Sequence, residues 1–266
     1  MKPFESFEFN KSFGQNFISD KNLLNAIATD SGICFNDNVL EIGTGAGTLT
    51  EAIASRAKKV ITYEIDKKLT EFLTEKFKDV QNVKVVFKDA LKTPIEEIEA
   101  NFNGENFHII ANLPYYITTP LIFKFLEETS KVQSITVMVQ KEVAEKIVAK
   151  VKDENYGITS VLLQYYFNCK KTRIVSKKMF SPVPKVDSAV ITMKRKPSVL
   201  FDANFSQFVR TLFAMKRKTI VNNLIKVGIA KNDILNALKE CDISETARAE
   251  SLDYAKIRTF YEKLYK

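Results

Sequence analysis

The stretch Val39-Leu40-Glu41-Ile42-Gly43-Thr44-Gly45-Ala46-Gly47-Thr48-Leu49 constrains the fold more than any other part of the chain. An apolar run that stops at glycines spaced GxGxG and passes at once into a helical segment reads as strand, turn and helix, with backbone left bare for a ligand to approach. The alternation continues downstream. Asn38 to Ile42, Val60 to Glu64, Val83 to Phe87, Phe107 to Ala111 and Ser134 to Gln140 read as strands rich in Val and Ile. Leu49 to Ala57, Lys67 to Phe77 and Pro120 to Glu128 read as the helices between them. That pattern predicts an α/β fold with a doubly wound, mostly parallel sheet covered on both faces.

The later part of the chain differs. TRIVS and SAVITM alternate with period 2 around the proline loop Phe180-Ser181-Pro182-Val183-Pro184, which fits an antiparallel pair at the end of the sheet. Beyond Pro197 helical spacing takes over, with Phe205, Val209, Leu212, Ile220 and Leu224 on one side. The expected division is a domain over residues 1–196 and a small helical domain over 197–266.

Composition narrows the chemistry. His108 is the single histidine, which excludes His-based triads and multi-His metal sites, and no metal is expected. Cys34, Cys169 and Cys241 stand far apart in odd number, as expected of reduced thiols in a cytoplasmic protein. No apolar run approaches the ~18 residues of a membrane span, and the N-terminus lacks the apolar core of a signal peptide. No membrane partner is expected, and the chain is read as a monomer. The net charge of +8 favours a polyanionic partner. Residues 195–266 carry 14 Lys and Arg against 8 Asp and Glu, so most of the excess lies in the tail. Arg210, Lys216, Arg217 and Lys218, beside apolar positions at helical spacing, are its candidate RNA-binding residues. A solvated helix face is the bland alternative.

Three features point to an adenosine-containing ligand without a pyrophosphate. The dinucleotide fingerprint GxGxxG needs glycine where Thr48 stands, and no GK[ST] follows. Glu64, ending the next strand, can accept hydrogen bonds from two ribose hydroxyls. Asp89-Ala90, after the third strand, is a natural place to meet an adenine amino group, although Asp89 alone also suits a helix N-cap. Such contacts at the carboxyl ends of successive strands follow the crevice rule for open sheets.

At the end of the fourth strand stands Asn112-Leu113-Pro114-Tyr115-Tyr116. An adenine N6 amine is a poor nucleophile because its lone pair is delocalised into the ring. Two acceptors on its N–H bonds favour the pyramidal form that attacks a methyl group. The Asn112 side-chain carbonyl and a backbone carbonyl freed by Pro114 can supply them, with Tyr115 stacking on the base. Read alone, the tetrapeptide is equally a strand-ending turn.

At this point the chain resembles the KsgA-type family of rRNA adenine N6,N6-dimethyltransferases over nearly its whole length. The resemblance rests on Phe13-Gly14-Gln15-Asn16-Phe17-Ile18, EIGTGAGTLT, Glu64-Ile65-Asp66, Asp89-Ala90-Leu91, ANLPYYITTP, FSPVPKVDSAV, FVRTLFAMKRKTIVNNL and ARAESLD, in the family order. It implies a Rossmann-like methyltransferase sheet with a helical C-terminal domain, and S-adenosylmethionine as methyl donor. Asn16, Ile18, Gly43, Gly45, Glu64, Asp89, Ala90 and Asn112 fall on donor-binding positions. Asn112, Leu113, Pro114 and Tyr115 fall on the target-amine motif, and Phe180 on an aromatic position that stacks on the target base. The family dimethylates two adjacent adenosines in a hairpin loop near the 3' end of small-subunit (16S) rRNA, which implies the small subunit as partner and a role in its biogenesis. Two departures stand out: Ile18 for the usual leucine, and Met215 to Lys218 where many relatives carry a glutamine and a different basic run. The alternatives are an erythromycin-resistance-type methyltransferase of 23S rRNA, a non-catalytic ribosome assembly factor and, ranked last on Thr48, a dinucleotide oxidoreductase.

Overall fold

The computed structural model describes residues 17, 18 and 20–265. In chain order its elements begin β1 (Phe17–Ile18), α1 (Lys21–Asp30), β2 (Asn38–Ile42), α2 (Thr48–Ala54), β3 (Lys59–Tyr63), α3 (Thr70–Phe77) and β4 (Val83–Val86). They continue α4 (Ile95–Ala100), β5 (Phe107–Asn112), α5 (Tyr115–Glu127), β6 (Val132–Gln140), α6 (Lys141–Val148), α7 (Ile158–Tyr166), β7 (Phe167–Val175), β8 (Phe180–Ser181) and β9 (Ser188–Arg195). The tail holds α8 (Ala203–Leu212), α9 (Ile220–Lys226), α10 (Lys231–Glu240) and α11 (Tyr254–Leu264).

Two compact units emerge. The first runs to Lys141 and resumes over Lys171–Lys194; the second comprises Glu142–Lys170 and the chain from Arg195 on. Described strands of the sheet stand in the order β4-β3-β2-β5-β6-β9-β7. The neighbours from β4 to β6 are parallel, and β9 joins β6 antiparallel, Val137 opposite Ile191. All five residues of β2 are buried, as a central parallel strand covered on both faces requires. The strand order reverses between β2 and β5, so the chain leaves their carboxyl ends toward opposite faces and opens a crevice there. A separate antiparallel ribbon pairs β1 with β8, Ile18 opposite Phe180.

In the second unit aromatic rings pack around Arg258. Arg258 lies over the rings of Tyr165, Phe205 and Tyr261 and pairs with Asp202 and Glu262, each at 2.8 Å. Those partners raise its affinity for the proton despite partial burial. The expected boundary at 196/197 assigns Glu142–Lys170 to the first part of the chain, whereas contacts group this segment with the tail. The reason is local: α7 packs on α8 and α11, Tyr156 donates to the Leu252 carbonyl at 2.9 Å, and Lys196 reaches the Gln164 carbonyl at 2.7 Å.

Three expected elements change. The helix expected from Pro120 begins at Tyr115 with Pro114 as its cap, and Pro120 lies in its second turn. There the ring withholds one N–H, which the Tyr116 carbonyl would otherwise accept. The helix expected over Lys67 to Phe77 opens instead as a 3₁₀ turn, Lys67–Leu69, capped by the Asp66 side chain. The apolar series Phe205 to Leu224 is two helices, not one continuous face, and residues 213–219 form a turn. Buried Asn223 makes that break: its Nδ2 donates to the carbonyls of Leu212, Met215 and Thr219, and its Oδ1 accepts from the Met215 amide. Lys216, Arg217 and Lys218 are therefore exposed turn residues, not one helix face; Arg210 is exposed on α8.

Candidate active site

The first unit contains a cavity of about 210 Å³ at the carboxyl ends of its central strands. Gly43, Gly45, Glu64, Asp89, Ala90, Asn112, Leu113, Pro114, Tyr115, Phe180 and Ile18 all line it. Asn16 lies outside the described residues.

The turn from β2 to α2 needs its glycines. Gly43, Gly45 and Gly47 have φ of 81°, 54° and 73°, in the left-handed region that a Cβ disfavours. At Gly47 a Cβ would also stand 2.7 Å from the Phe77 ring, so the close approach of turn and α3 forbids any side chain. Lys76 of α3 donates to the Ala46 carbonyl at 2.8 Å and fixes the turn from the same side.

Glu64, just past β3, is almost wholly buried. One carboxylate oxygen accepts from the Gly45 amide at 2.8 Å and the other from the Asp66 amide at 2.9 Å. Burial raises its pKa and these amides oppose the rise. The Ile65 amide also bears on the group, and because a carboxylate offers about four acceptor positions the backbone orients it without exhausting it. That capacity suits a ribose diol. Asp89 has two jobs: its Oδ1 accepts from the Leu91 amide at 2.9 Å, shaping the turn after β4, while the residue lines the cavity. Asp89 is not a helix N-cap, because the next helix, α4, begins at Ile95 with Pro94 before it; its side chain closes a turn instead.

Across the cavity, β5 ends at Asn112 and α5 begins at Tyr115. The Pro114 carbonyl accepts from the Ile117 amide and the Thr118 hydroxyl, at 3.1 and 3.3 Å. No described residue donates to the Leu113 carbonyl. Leu113 thus carries a backbone acceptor without a described donor, as the Asn-Leu-Pro-Tyr reading requires. The Tyr115 hydroxyl lies 2.9 Å from that of Ser188.

Sequence reasoning missed Tyr63, Ile65, Leu91 and Tyr116 in the lining. Ile65 and Tyr116 are 45% and 64% exposed, apolar groups left in water at the rim. Their signal is position: Ile65 follows Glu64 just past β3, and Tyr116 follows Tyr115 in the first turn of α5. Glu41 was also missed as a special group. It is fully buried on β2, accepts from Thr50 at 2.6 Å through Oε2, and its Oε1 has no partner among the described residues. Burial first, then the nearby charge of Glu64, pushes its pKa up to about 8.

Among the described residues no group of three or more His, Cys, Asp or Glu is placed to hold a metal ion. No described helix is long and apolar enough to cross a membrane.

Comparison with known proteins agrees with this geometry. The ribosomal RNA adenine dimethylase family matches residues 6–266. Ribosomal RNA small subunit methyltransferase A of Clostridioides difficile (strain 630) is 41% identical over 253 residues, 93% of this chain and 88% of that protein. The protein of the same name from Bacillus mycoides (strain KBAB4) is 40% identical over 268 residues, 97% of this chain and 92% of that one. Among solved structures, a dimethyladenosine transferase from Plasmodium falciparum superposes with a TM-score of 0.81 at 27% identity, covering 94% of this chain and 97% of that one. The 23S rRNA methyltransferase ErmE gives 0.74 at 26% identity, covering 94% and 100%. The GxGxG turn, the acidic strand ends and the Asn-Leu-Pro-Tyr segment thus share one crevice in a chain that belongs to the ribosomal RNA adenine dimethylase family.

Proposed function

We propose that this protein dimethylates the N6 amines of two adjacent adenosines in a hairpin loop near the 3' end of small-subunit (16S) rRNA, with S-adenosylmethionine as methyl donor, during biogenesis of the subunit. One observation carries the reading: a single cavity is lined both by the acidic strand ends suited to a nucleoside and by the Asn112 to Tyr115 segment suited to an exocyclic amine. Relatives at 40–41% identity are named for the small subunit, which favours it over the 23S-type activity of the more distant ErmE. The reading takes the enzyme as a cytoplasmic monomer that needs no metal.

The donor, when bound, supplies an electrophilic methyl group on a sulfonium. Glu64 would take its ribose hydroxyls, Asp89 and Ala90 its adenine edge, and Gly43 and Gly45 its close approach to backbone, with Ile18 as an apolar wall. Asn16 joins this set on the motif alone. Asn112 and the Leu113 carbonyl would accept the two N–H bonds of the target amine and favour its pyramidal form, while Tyr115 and Phe180 flank the base. A displacement of this kind needs no strong base, because alignment of the two reactants supplies much of the rate. Arg210, Lys216, Arg217 and Lys218 would bind rRNA phosphates.

The test is methylation of small subunits from a strain lacking this gene, with mass spectrometry of the rRNA fragments. Dimethyladenosine at two adjacent positions near the 3' end is expected. Methylation of large-subunit rRNA alone would overturn the reading.

A further inference from the structure

Two neighbouring residues at the start of β9 tie together segments that are far apart in sequence. Ser188 is wholly buried, stands opposite Gln140 at the end of β6, and its hydroxyl meets that of Tyr115 at 2.9 Å. Tyr115 is thereby held at both ends, by its backbone as the first residue of α5 and by its phenol on the sheet. Its hydroxyl is committed to Ser188, so the ring serves as a wall. Asp187 works on the other aromatic group. Its Oδ1 accepts from the Lys177 amide at 2.9 Å, closing the neck of the loop that carries Phe180, and its carbonyl accepts from the Lys141 amide at 3.0 Å. Phe180 is buried and lines the same cavity as Tyr115.

We propose that Asp187 and Ser188 are positioning residues that hold the two aromatic walls of the target-base slot and thereby govern the second methyl transfer. The inference rests on the function proposed above and concerns how that site completes its product. In each transfer a C–N bond forms at N6 as the bond between methyl carbon and donor sulfur breaks. The sulfur keeps the bonding pair, and the displaced N6 proton leaves to water. Before the first transfer the amine offers two N–H bonds to the acceptors at Asn112 and Leu113. Afterwards it offers one. Orientation of the monomethylated base then depends more on the walls than on hydrogen bonds, so loosening the walls slows the second step more than the first.

The experiment uses the full-length protein, unmethylated small subunits and labelled donor, and follows monomethyl- and dimethyladenosine over time. Tyr115→Phe and Ser188→Ala each remove the same hydrogen bond. Each should raise the ratio of mono- to dimethyl product about two- to tenfold, the equivalent of one neutral hydrogen bond. The double variant should be no worse than the more affected single one, because both delete one interaction. Asp187→Ala should raise the ratio by its separate effect on Phe180. A purely structural role would slow both transfers in proportion and leave the ratio unchanged; that result, or additive effects in the double variant, overturns the proposal. Should Ser188→Ala fail to fold, Tyr115→Phe, which removes only an oxygen atom, decides it. A wild-type protein that makes no methyladenosine on small subunits overturns the function itself and this inference with it, whereas normal dimethylation with an unchanged ratio in the variants overturns only the inference.

Discussion

Glu64 and Glu41 are buried carboxylates at the ends of neighbouring strands, and their surroundings give them opposite tasks. Both oxygens of Glu64 rest on backbone amides, which keeps an oriented acceptor beside the cavity. Glu64→Ala should therefore weaken binding of S-adenosylmethionine ~10- to 150-fold, the loss of ~1.5–3 kcal/mol from a charge-assisted contact, as titration calorimetry would record. Unchanged affinity would remove Glu64 from the donor site. Glu41 accepts from the Thr50 hydroxyl and keeps one oxygen without a hydrogen-bond partner among the described residues; burial outweighs the Thr50 and Thr62 hydroxyls and favours its protonated form up to about pH 8. Its folded-state pKa lies above the unfolded value; its contribution to stability is therefore full below about pH 4.5 and is lost as pH rises through about 8. Glu41→Gln, which stays neutral, should lose less Tm than wild type between pH 6 and 9. The gain should be ~2–4 °C for each kcal/mol that the buried carboxylate costs. Parallel pH profiles of wild type and variant would show that Glu41 does not titrate in this range.

At the scale of elements, short connections decide where side chains go. The GxGxG turn works because the bare backbone of Gly47 lets α3 approach, and Pro114 starts α5 one residue before the Tyr115 ring is needed. In the second unit the turn between α8 and α9 hangs on Asn223, whose side chain replaces backbone bonds the two helix ends cannot make themselves. Asn223→Ala takes its side-chain partner from the buried Leu212 carbonyl and from the Met215 amide, whereas the Met215 and Thr219 carbonyls keep the Lys218 and Asn223 amides, and it should cost ~2–4 kcal/mol in a denaturant melt. Asn223→Asp should also destabilise, since a carboxylate cannot donate to the Leu212, Met215 and Thr219 carbonyls. A loss below ~0.5 kcal/mol in both would mean that the turn holds without the clamp.

For the molecule as a whole, the two units differ in what they carry, a cavity at the strand ends in one and an excess of cations in the other. Replacing Lys216, Arg217 and Lys218 together with alanine should weaken binding to small subunits, most clearly at low salt, while donor affinity stays unchanged. Each lost phosphate contact should reduce the salt slope of log K by ~0.7–0.9. The same affinity and slope as wild type would make the turn a solvated surface feature and nothing more. Because Asn223 holds that turn, Asn223→Ala gives an independent check: a preorganised cation set should lose affinity when the clamp is removed even though every charge remains.

Residue order alone made legible the parallel strands, their ends and the convergence of Gly43, Glu64, Asp89 and Asn112, because period-2 and period-3.6 burial and left-handed glycine turns are local properties. It determined the approximate place of Phe180 only through a motif, since nothing local brings residue 180 opposite residue 18. Tertiary structure alone decided that Glu142–Lys170 groups with the tail, because α7 is apolar on most faces and its sequence carries no mark of which core it joins. It alone decided that the basic run sits on a turn, since the break is made by Asn223, several residues beyond it. The Tyr115–Ser188 bond and the lone oxygen of Glu41 belong to the same class: each depends on strands brought side by side from distant parts of the chain, and partners of that kind leave no period or spacing to read.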